Sequence, residues 1–388
     1  MITARIKEQA LRLGFDLVGV AEVRPSENAQ FYRDWIAAGR HGEMTYLARE
    51  DAVERRLSPP LQFRSAVVVG LNYYTQGEGD GESEAEGEGE VARYARGRDY
   101  HKVIKSKLFA LLRFVEAEVG HALPLSRAYV DTGPVLEREL ARRAGLGWYG
   151  RNTMLINLKR GSYFFLGALL LELELDYDDA FTADHCGSCN ACVEACPTGA
   201  LLGRDANGAP LMDATRCISY LTIEQRGPIP RELRSLIGNR IFGCDICQEV
   251  CPWNAPKFVQ LASEKDFAVR EQLANRRLID LMKLGEAEWD EFSRGSSIRR
   301  AKRSGFLRNV AVALGNWGSP EAVPVLVAAL SDEEPLVRGH AAWALSRIGS
   351  PEALEALCAA RTLEPDGWVR EEVVTALRPH FGTESMPG

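Results

Sequence analysis

Apolar residues recur at helical spacing at the start of the chain. Ile2, Ile6 and Leu13 share one side with Gln9, and Gly14 can end the turn, which predicts a helix over 3–14. FDLVGVAEV (15–23) then predicts a strand, and a second amphipathic helix is expected over 28–38, ending near Gly39. SAVVVGLNY (65–73) is short and rich in β-branched residues, the pattern of a buried strand. Residues 99–119 place Val103, Ile104, Leu108, Leu111, Leu112 and Val115 on a long helix that stops at Gly120. SRAYVD (126–131) predicts a short strand, and Pro134 is placed to open a helix running through Arg143. Residues 151–175 give two strand-like runs joined at Lys159–Gly161, the pattern of a hairpin. Helices and strands thus mix irregularly as far as residue 175, which favours an α+β fold over a doubly wound sheet.

Residues 261–300 carry Leu261, Leu273, Leu278, Leu281 and Leu284 and are expected to be helical. Beyond them the chain repeats: ALGNWGSPEA (313–322) returns as ALSRIGSPEA (344–353), an offset of 31, and Val337-Arg338 returns as Val369-Arg370, an offset of 32. Helix, turn and helix at this period predict two and a half stacked helical hairpins of the HEAT-like kind. The expected domains are an α+β domain over 1–175, a cysteine-rich domain over 176–260, a helical connector over 261–300 and the repeats over 301–388.

At 388 residues the chain can hold two or three cores, and 46% apolar with 26% charged residues is ordinary for a soluble globular protein. No apolar run approaches the ~20 residues of a membrane helix. The first fifteen residues lack the continuous apolar core of a signal peptide, so a reducing cytoplasm is expected. A net charge of −7 argues against a nucleic-acid partner until its source is located. Residues 77–90 hold seven acids and no base, and without them the chain is neutral. Gly-rich and free of large apolar groups, that segment is expected to be a disordered surface loop.

The cysteines change the picture most. Eight of nine lie within 186–251, opening with CGSCNACVEACP and closing with CDICQEVCP, with Cys217 alone between. The first run has the C-x2-C-x2-C-x3-C-P spacing of bacterial ferredoxins, in which three thiolates hold one [4Fe–4S] cube and the fourth reaches the other. On that pattern Cys186, Cys189, Cys192 and Cys251 bind cluster 1, and Cys196, Cys217, Cys244 and Cys247 bind cluster 2. Zinc accepts C-x2-C pairs, but eight ligands with two C-x3-C-P endings are unusual for it. Disulfides would need an oxidising compartment.

Elsewhere the signals are thinner. Asp131, at the end of a strand just before a helix, is by itself a turn or capping residue; its functional version is an acid among apolar neighbours with a raised pKa. Asp99, Tyr100 and His101 resemble the D-x-H start of a cobalamin-ligating motif, but Ile104 stands where that motif wants glycine. His101 is therefore expected to be a packed or helix-start histidine. Arg299, Arg300, Lys302, Arg303 and Arg308 form a basic run that Arg338, Arg347 and Arg370 could extend into a path for a phosphate backbone. Cys358 is expected in the core of a repeat helix. No G-x-G-x-x-G follows a strand, no phosphate-binding G-x-x-x-x-G-K-[ST] occurs, and no Ser–His–Asp pattern is apparent.

Taken together, VDTGPVLERELARRAGLGWYGRNTMLIN, RYARGRDYH, the eight cysteines, RCISYLTIEQRGPIP and GNRIFGCDICQEVCPW resemble the epoxyqueuosine reductase family over nearly the whole chain. The resemblance implies a base-off cobalamin held by a nitroreductase-like α+β domain and a ferredoxin-like domain carrying two [4Fe–4S] clusters. It makes Asp131 the proton donor. It places Arg56, Tyr94, Asn152, Ser219, Thr222 and the backbone at Cys244 and Asp245 against the corrin. It implies reduction of the epoxide of epoxyqueuosine at the tRNA wobble position, with electrons from an external low-potential donor. A monomer with no membrane partner is expected, gripping tRNA through Arg299, Arg300, Lys302, Arg303 and Arg338. Two rivals stand beside it: a reductive dehalogenase-like cobalamin enzyme acting on a small molecule, and a non-catalytic iron–sulfur adaptor.

Overall fold

The computed structural model describes residues 2–60, 62–75, 87–273 and 276–381, which divide into two compact units. Unit 1 takes the described residues of Met1–Gln76, Gly97–Thr215 and Asp245–Ala268. Unit 2 takes those of Gly77–Arg96, Arg216–Cys244 and Val269–Gly388. The units interleave along the chain instead of following the sequential boundaries expected at 175, 260 and 300, and the cysteine-rich stretch contributes to both.

Unit 1 is built on a four-stranded antiparallel sheet of β1 (Leu17–Glu22), β2 (Ser65–Asn72), β3 (Arg127–Tyr129) and β4 (Phe164–Leu171), in the order β1-β2-β4-β3. Its register pairs Val20 with Val67, Val68 with Ala168 and Ala128 with Leu169. All eight residues of β2 are buried, as its β-branched run predicts. Helices α1 (Ile2–Arg12) and α2 (Tyr100–Val119) pack on the sheet, and so does α3 (Glu137–Arg143). Alternation along β4 separates them: a side chain at Gly167 would meet Ile104 of α2 at 2.9 Å, whereas Ala168 and Leu170 share a core with Leu140 and Ala141 of α3. Gly19 permits a close approach of β1 to the end of α3, since a Cβ there would lie 2.1 Å from the Ala144 carbonyl oxygen.

The predicted limits of α2 hold: Asp99 caps its first turn by accepting the His101 N–H, and Gly120 closes it at φ 77°. Three expectations shift. Pro134 does not open α3, because a tight turn at Asp131 (φ 59°), with Thr132 N–H bonded to Val130 O, delays the helix to Glu137. Asn157 and Gly161 close a turn about Lys159, yet the run before it pairs at Leu155–Ile156 with Trp148–Tyr149 and not with β4. A short helix at Glu50–Leu57 escapes the apolar pattern, since it buries only Ala52 and Leu57.

Unit 2 contains α4 (Ile218–Ile223), a strand Arg240–Phe242 paired in parallel with Glu90–Val91, and five repeat helices. These are α5 (Lys302–Trp317), α6 (Val323–Ala329), α7 (Pro335–Ile348), α8 (Pro351–Leu363) and α9 (Gly367–Phe381), the predicted two and a half hairpins. The duplicated G-S-P-E-A has a capping explanation. Gly318 and Gly349 end α5 and α7 in the left-handed conformation, and Ser319 and Ser350 cap the next turn with proline at its start. Glu88 and Glu90, expected in the acidic loop, are ordered by a bridge to Arg277 and by the short parallel pairing. Residues 77–86 of that expected loop lie outside the described residues. Between 261 and 300, α-helix is confined to Leu278–Leu281 and Glu286–Ser293; the leucines are too sparse for one apolar face, and Leu261 is 59% exposed. Among the described residues no helix is long and apolar enough to cross a membrane.

Candidate iron–sulfur and acid site

Within unit 1, Cys186, Cys189, Cys192 and Cys251 line one cavity of about 350 Å³. The local sequence shapes it. Cys189 N–H bonds Cys186 O in a tight turn, Arg151 donates to Gly187 O (2.8 Å) and Asn190 Oδ1 (2.7 Å), and Trp253 Nε1 donates to His185 O (3.2 Å). Trp148, His185 and Trp253 meet edge to face at 5.0–5.8 Å, forming an aromatic wall beside the thiols. All nine cysteines are unbridged.

The electrostatics of these thiols ask for a cation. Burial pushes Cys192 up to about 11, and the charges of Cys251, Cys186 and Cys189 push it the same way. Cys251 is raised too, again chiefly by burial. Thiols such as Cys192 and Cys251, whose ionisation burial and neighbouring thiolates oppose, are stabilised as thiolates by a bound metal centre. Among the described residues no three His, Cys, Asp or Glu side chains converge as ligands of a single ion would. A cube offers four separated corners, so the donor set fits [4Fe–4S] better than zinc.

Of the other four cysteines, Cys247 lies in the short helix Ile246–Glu249 and the rest lie beside elements. Cys196 Sγ lies 3.8 Å from Thr198 Oγ1, and Cys247 O accepts Asn152 Nδ2 at 3.2 Å, both within unit 1. In unit 2, Cys217 is the N-cap residue of α4, and Cys244 follows the strand Arg240–Phe242.

Asp131 also lies in unit 1, but not as the sequence suggested. Its side chain is 70% exposed, so it is no acid enclosed by apolar neighbours. A positive φ of 59° instead holds it out at the end of β3, a strained conformation for a non-glycine residue. Tyr100 Oη donates to its Oδ2 at 2.8 Å, and His101 Nε2 stands 3.8 Å away. Tyr100 is itself fixed by stacking on Phe165 (4.1 Å between centroids) and on His101 (4.0 Å). His101 is the expected helix-start histidine, with Nδ1 2.8 Å from Asp99 Oδ1. Sequence reading missed that α2's first turn brings Tyr100 and His101 to Asp131, an approach across 31 positions.

It also missed Glu137. This first residue of α3 has an Oε1 that is fully buried without a hydrogen-bond partner. Burial, with the negative charge of Asp131 adding to it, pushes the Glu137 carboxyl up to about 8. The acid with a raised pKa is therefore the half-buried Glu137, six residues from the one expected. The available signal was the second acid in VDTGPVLERE.

Of the residues expected against a corrin, Arg56 is half-buried and donates to Tyr46 O, while Tyr94 lies 6.2 Å from Phe242, centroid to centroid. Ser219 and Cys244 are half-buried, and Asp245 is buried at the N-cap of Ile246–Glu249. Asn152 lines the cysteine cavity. Thr222 does not fit the expectation: it is fully buried, and its hydroxyl donates to Ile218 O (2.7 Å) while accepting Gly243 N–H (2.9 Å).

The basic residues divide in two. Arg299 and Arg300 are exposed and paired with Asp290 (2.7 Å) and Glu224 (2.8 Å), and Lys302 is exposed. Arg303 and Arg338 instead hold Asp332 (2.7 Å) and Glu364 (2.8 Å) with 14% and 12% of their side chains exposed, so a solvated face does not describe them. Arg308 is wholly buried. Cys358 is half-buried, not a core residue.

Comparison with known proteins agrees with this geometry. Residues 58–132 match the family described as epoxyqueuosine reductase QueG, DUF1730, residues 185–254 the 4Fe-4S double cluster binding domain, and residues 298–378 the HEAT repeats. The epoxyqueuosine reductase of Pseudomonas aeruginosa is 43% identical over 88% of this chain and 93% of its own length. That of Escherichia coli is 40% identical over 89% of each. A solved epoxyqueuosine reductase with a tRNA-Tyr epoxyqueuosine-modified stem loop superposes with a TM-score of 0.88 at 30% identity, covering 97% of this chain and 98% of that one. On sequence, fold and cysteine geometry alike, the chain belongs to the epoxyqueuosine reductase family.

Proposed function

We propose that the chain reduces the epoxide of epoxyqueuosine at the wobble position of tRNA, so that two electrons and two protons yield the cyclopentene of queuosine and one water. The observation that carries the chemistry is Asp131: an exposed acid on a strained turn, aimed by Tyr100 at 2.8 Å. The solved relative bound to an epoxyqueuosine-modified stem loop supports the substrate.

The residues present suit two iron–sulfur clusters and, in part, a corrin. Cys186, Cys189, Cys192 and Cys251 would hold the first cluster, and the exposure of Cys189 suits entry of electrons from an external low-potential donor. The assignment of Cys196, Cys217, Cys244 and Cys247 to the second rests on their spacing and on the double-cluster match. A corrin rim carries amide groups that need donors and acceptors. Arg56, Tyr94, Ser219 and the backbone at Cys244 and Asp245 would supply them by family resemblance; Thr222, with its hydroxyl committed, would not. A bound cobalamin would supply a strongly reducing, nucleophilic cobalt.

The chain's own residues do the rest. Asp131 delivers a proton to the epoxide oxygen, converting an alkoxide into a better leaving group; general acids of this kind contribute roughly 10²–10⁴-fold. Tyr100 orients that carboxyl, and His101 stands beside it. Glu137, at the start of α3, keeps its own proton at neutral pH. Arg299, Arg300 and Lys302 would meet the phosphates of the anticodon stem, whose single-stranded bases can be splayed into the site. Anaerobic incubation of cluster- and cobalamin-loaded protein with epoxyqueuosine-modified tRNA and a strong reductant should give queuosine on nucleoside analysis. No conversion, or a colourless preparation carrying zinc, would overturn the reading.

A further inference from the structure

The repeats begin with a helix that is unusually polar on its buried side. Arg308 and Asn309 of α5 are both wholly buried, and neither points to solvent. Asn309 Nδ2 donates to Thr222 O (2.8 Å) and to Ile241 O (2.9 Å), so one amide ties two separate segments together. Arg308 donates to Leu221, Gln225 and Gly227 carbonyls, and its Nε and a terminal nitrogen also hold Asn309 Oδ1, which fixes the orientation of that amide. A third side chain, Asn316, clamps Arg234 O (2.9 Å) and Gly238 O (2.8 Å) two turns further on.

The two segments joined by Asn309 are the ones that lead to cysteines. Thr222 closes the short helix α4, which Cys217 caps at its start, and Leu221 N–H bonds Cys217 O. Ile241 lies in the strand that delivers Cys244 by way of Gly243, whose φ of 76° makes the final turn. The Thr222 hydroxyl accepts the Gly243 N–H at 2.9 Å, a second tie between the same two segments. Every one of these hydrogen bonds lies inside unit 2. Burying an arginine and an asparagine is costly unless their donors are met, and here backbone carbonyls meet them. A plain structural cap could have filled the same volume with leucine.

We propose that Arg308 and Asn309 of the first repeat helix are positioning residues for the second [4Fe–4S] cluster, setting the spacing of Cys217 and Cys244. The repeats thereby serve the electron path as well as any docking of tRNA. The proposal rests on the reading that these two thiols are cluster ligands.

The test compares Asn309→Ala with Asn316→Ala in the full-length protein, purified without oxygen and reconstituted with iron and sulfide. Asn316→Ala removes a similar pair of hydrogen bonds from the same helix, but at Arg234 and Gly238 carbonyls that lie before the strand and touch neither α4 nor the strand itself, and so reports loss of stability. Asn309→Ala should lose about half of the iron and sulfide, or keep them with a displaced midpoint potential and altered electron paramagnetic resonance for one cluster only. The other cluster, held by the cavity cysteines, should match wild type, and so should both clusters of Asn316→Ala. Wild-type content, potentials and spectra in Asn309→Ala would overturn the proposal, as would equal damage in both variants. A wild-type protein holding a single cluster would instead remove the reading beneath it.

Discussion

Asp131 and Glu137 show how two acids on one loop acquire different roles. Asp131 is exposed and hydrogen-bonded, while Glu137 is half-buried, with one carboxyl oxygen sealed off and unpartnered and a pKa pushed up to about 8. Tyr100→Phe removes the hydrogen bond that orients the Asp131 carboxyl, worth about 0.5–1.5 kcal/mol. Single-turnover rates of that variant should fall by roughly two- to tenfold with iron and cobalamin content unchanged. Glu137 makes a separate prediction about stability. Between the ordinary carboxyl value, 4.5, and about 8 the folded state holds a proton at Glu137 that the unfolded state has released. The unfolded state thus binds fewer protons there, and this group's contribution to stability falls as pH rises through that window. Glu137→Gln abolishes the titration. Its melting temperature should gain on wild type as pH rises through the window and hold a constant difference above it; a pH-independent difference would contradict the burial of an ionisable carboxyl.

At the scale of elements, what could be read from sequence was what neighbouring residues decide. The helix over 99–119 carries its own stop at Gly120, and the repeat offset of 31 carries its own caps in G-S-P-E-A. The cysteine spacing declares its cube because the turn between Cys186 and Cys189 is local. What could not be read depends on distant partners. Tyr100 meets Asp131 only because α2 packs beside the end of β3, and Arg303 leaves the basic run only because Asp332 lies 2.7 Å from it. Asn309 looks like any helix residue until Thr222 and Ile241 are placed against it. Packing also sets a limit in the sheet. Gly19→Ala would drive a Cβ to 2.1 Å from the Ala144 carbonyl oxygen and force α3 away from β1. Thermal or urea unfolding should show a loss of about 1–3 kcal/mol, the usual cost of overpacking; no loss would mean that α3 is free to shift.

For the whole molecule, the proposed reaction needs iron–sulfur electron entry, one presented acid and a basic approach for RNA. Arg299 pairs with Asp290 in an exposed setting worth about 0–1 kcal/mol, so it can exchange that partner for phosphate, whereas Arg300 holds Glu224, 19% exposed, with two hydrogen bonds. Arg299→Glu with Arg300→Glu should weaken tRNA binding by more than the modest fall in melting temperature that facing Asp290 and Glu224 brings. The slope of log affinity against log salt should become shallower by about one for each phosphate that is no longer neutralised. Unchanged affinity would move the RNA surface elsewhere. The central claim lies in the chemistry, and the most direct test is Asp131→Asn. The variant should retain clusters and cobalamin, bind epoxyqueuosine-modified tRNA, and form no queuosine in an anaerobic single turnover analysed by nucleoside composition. Queuosine formed at the wild-type rate would contradict the account.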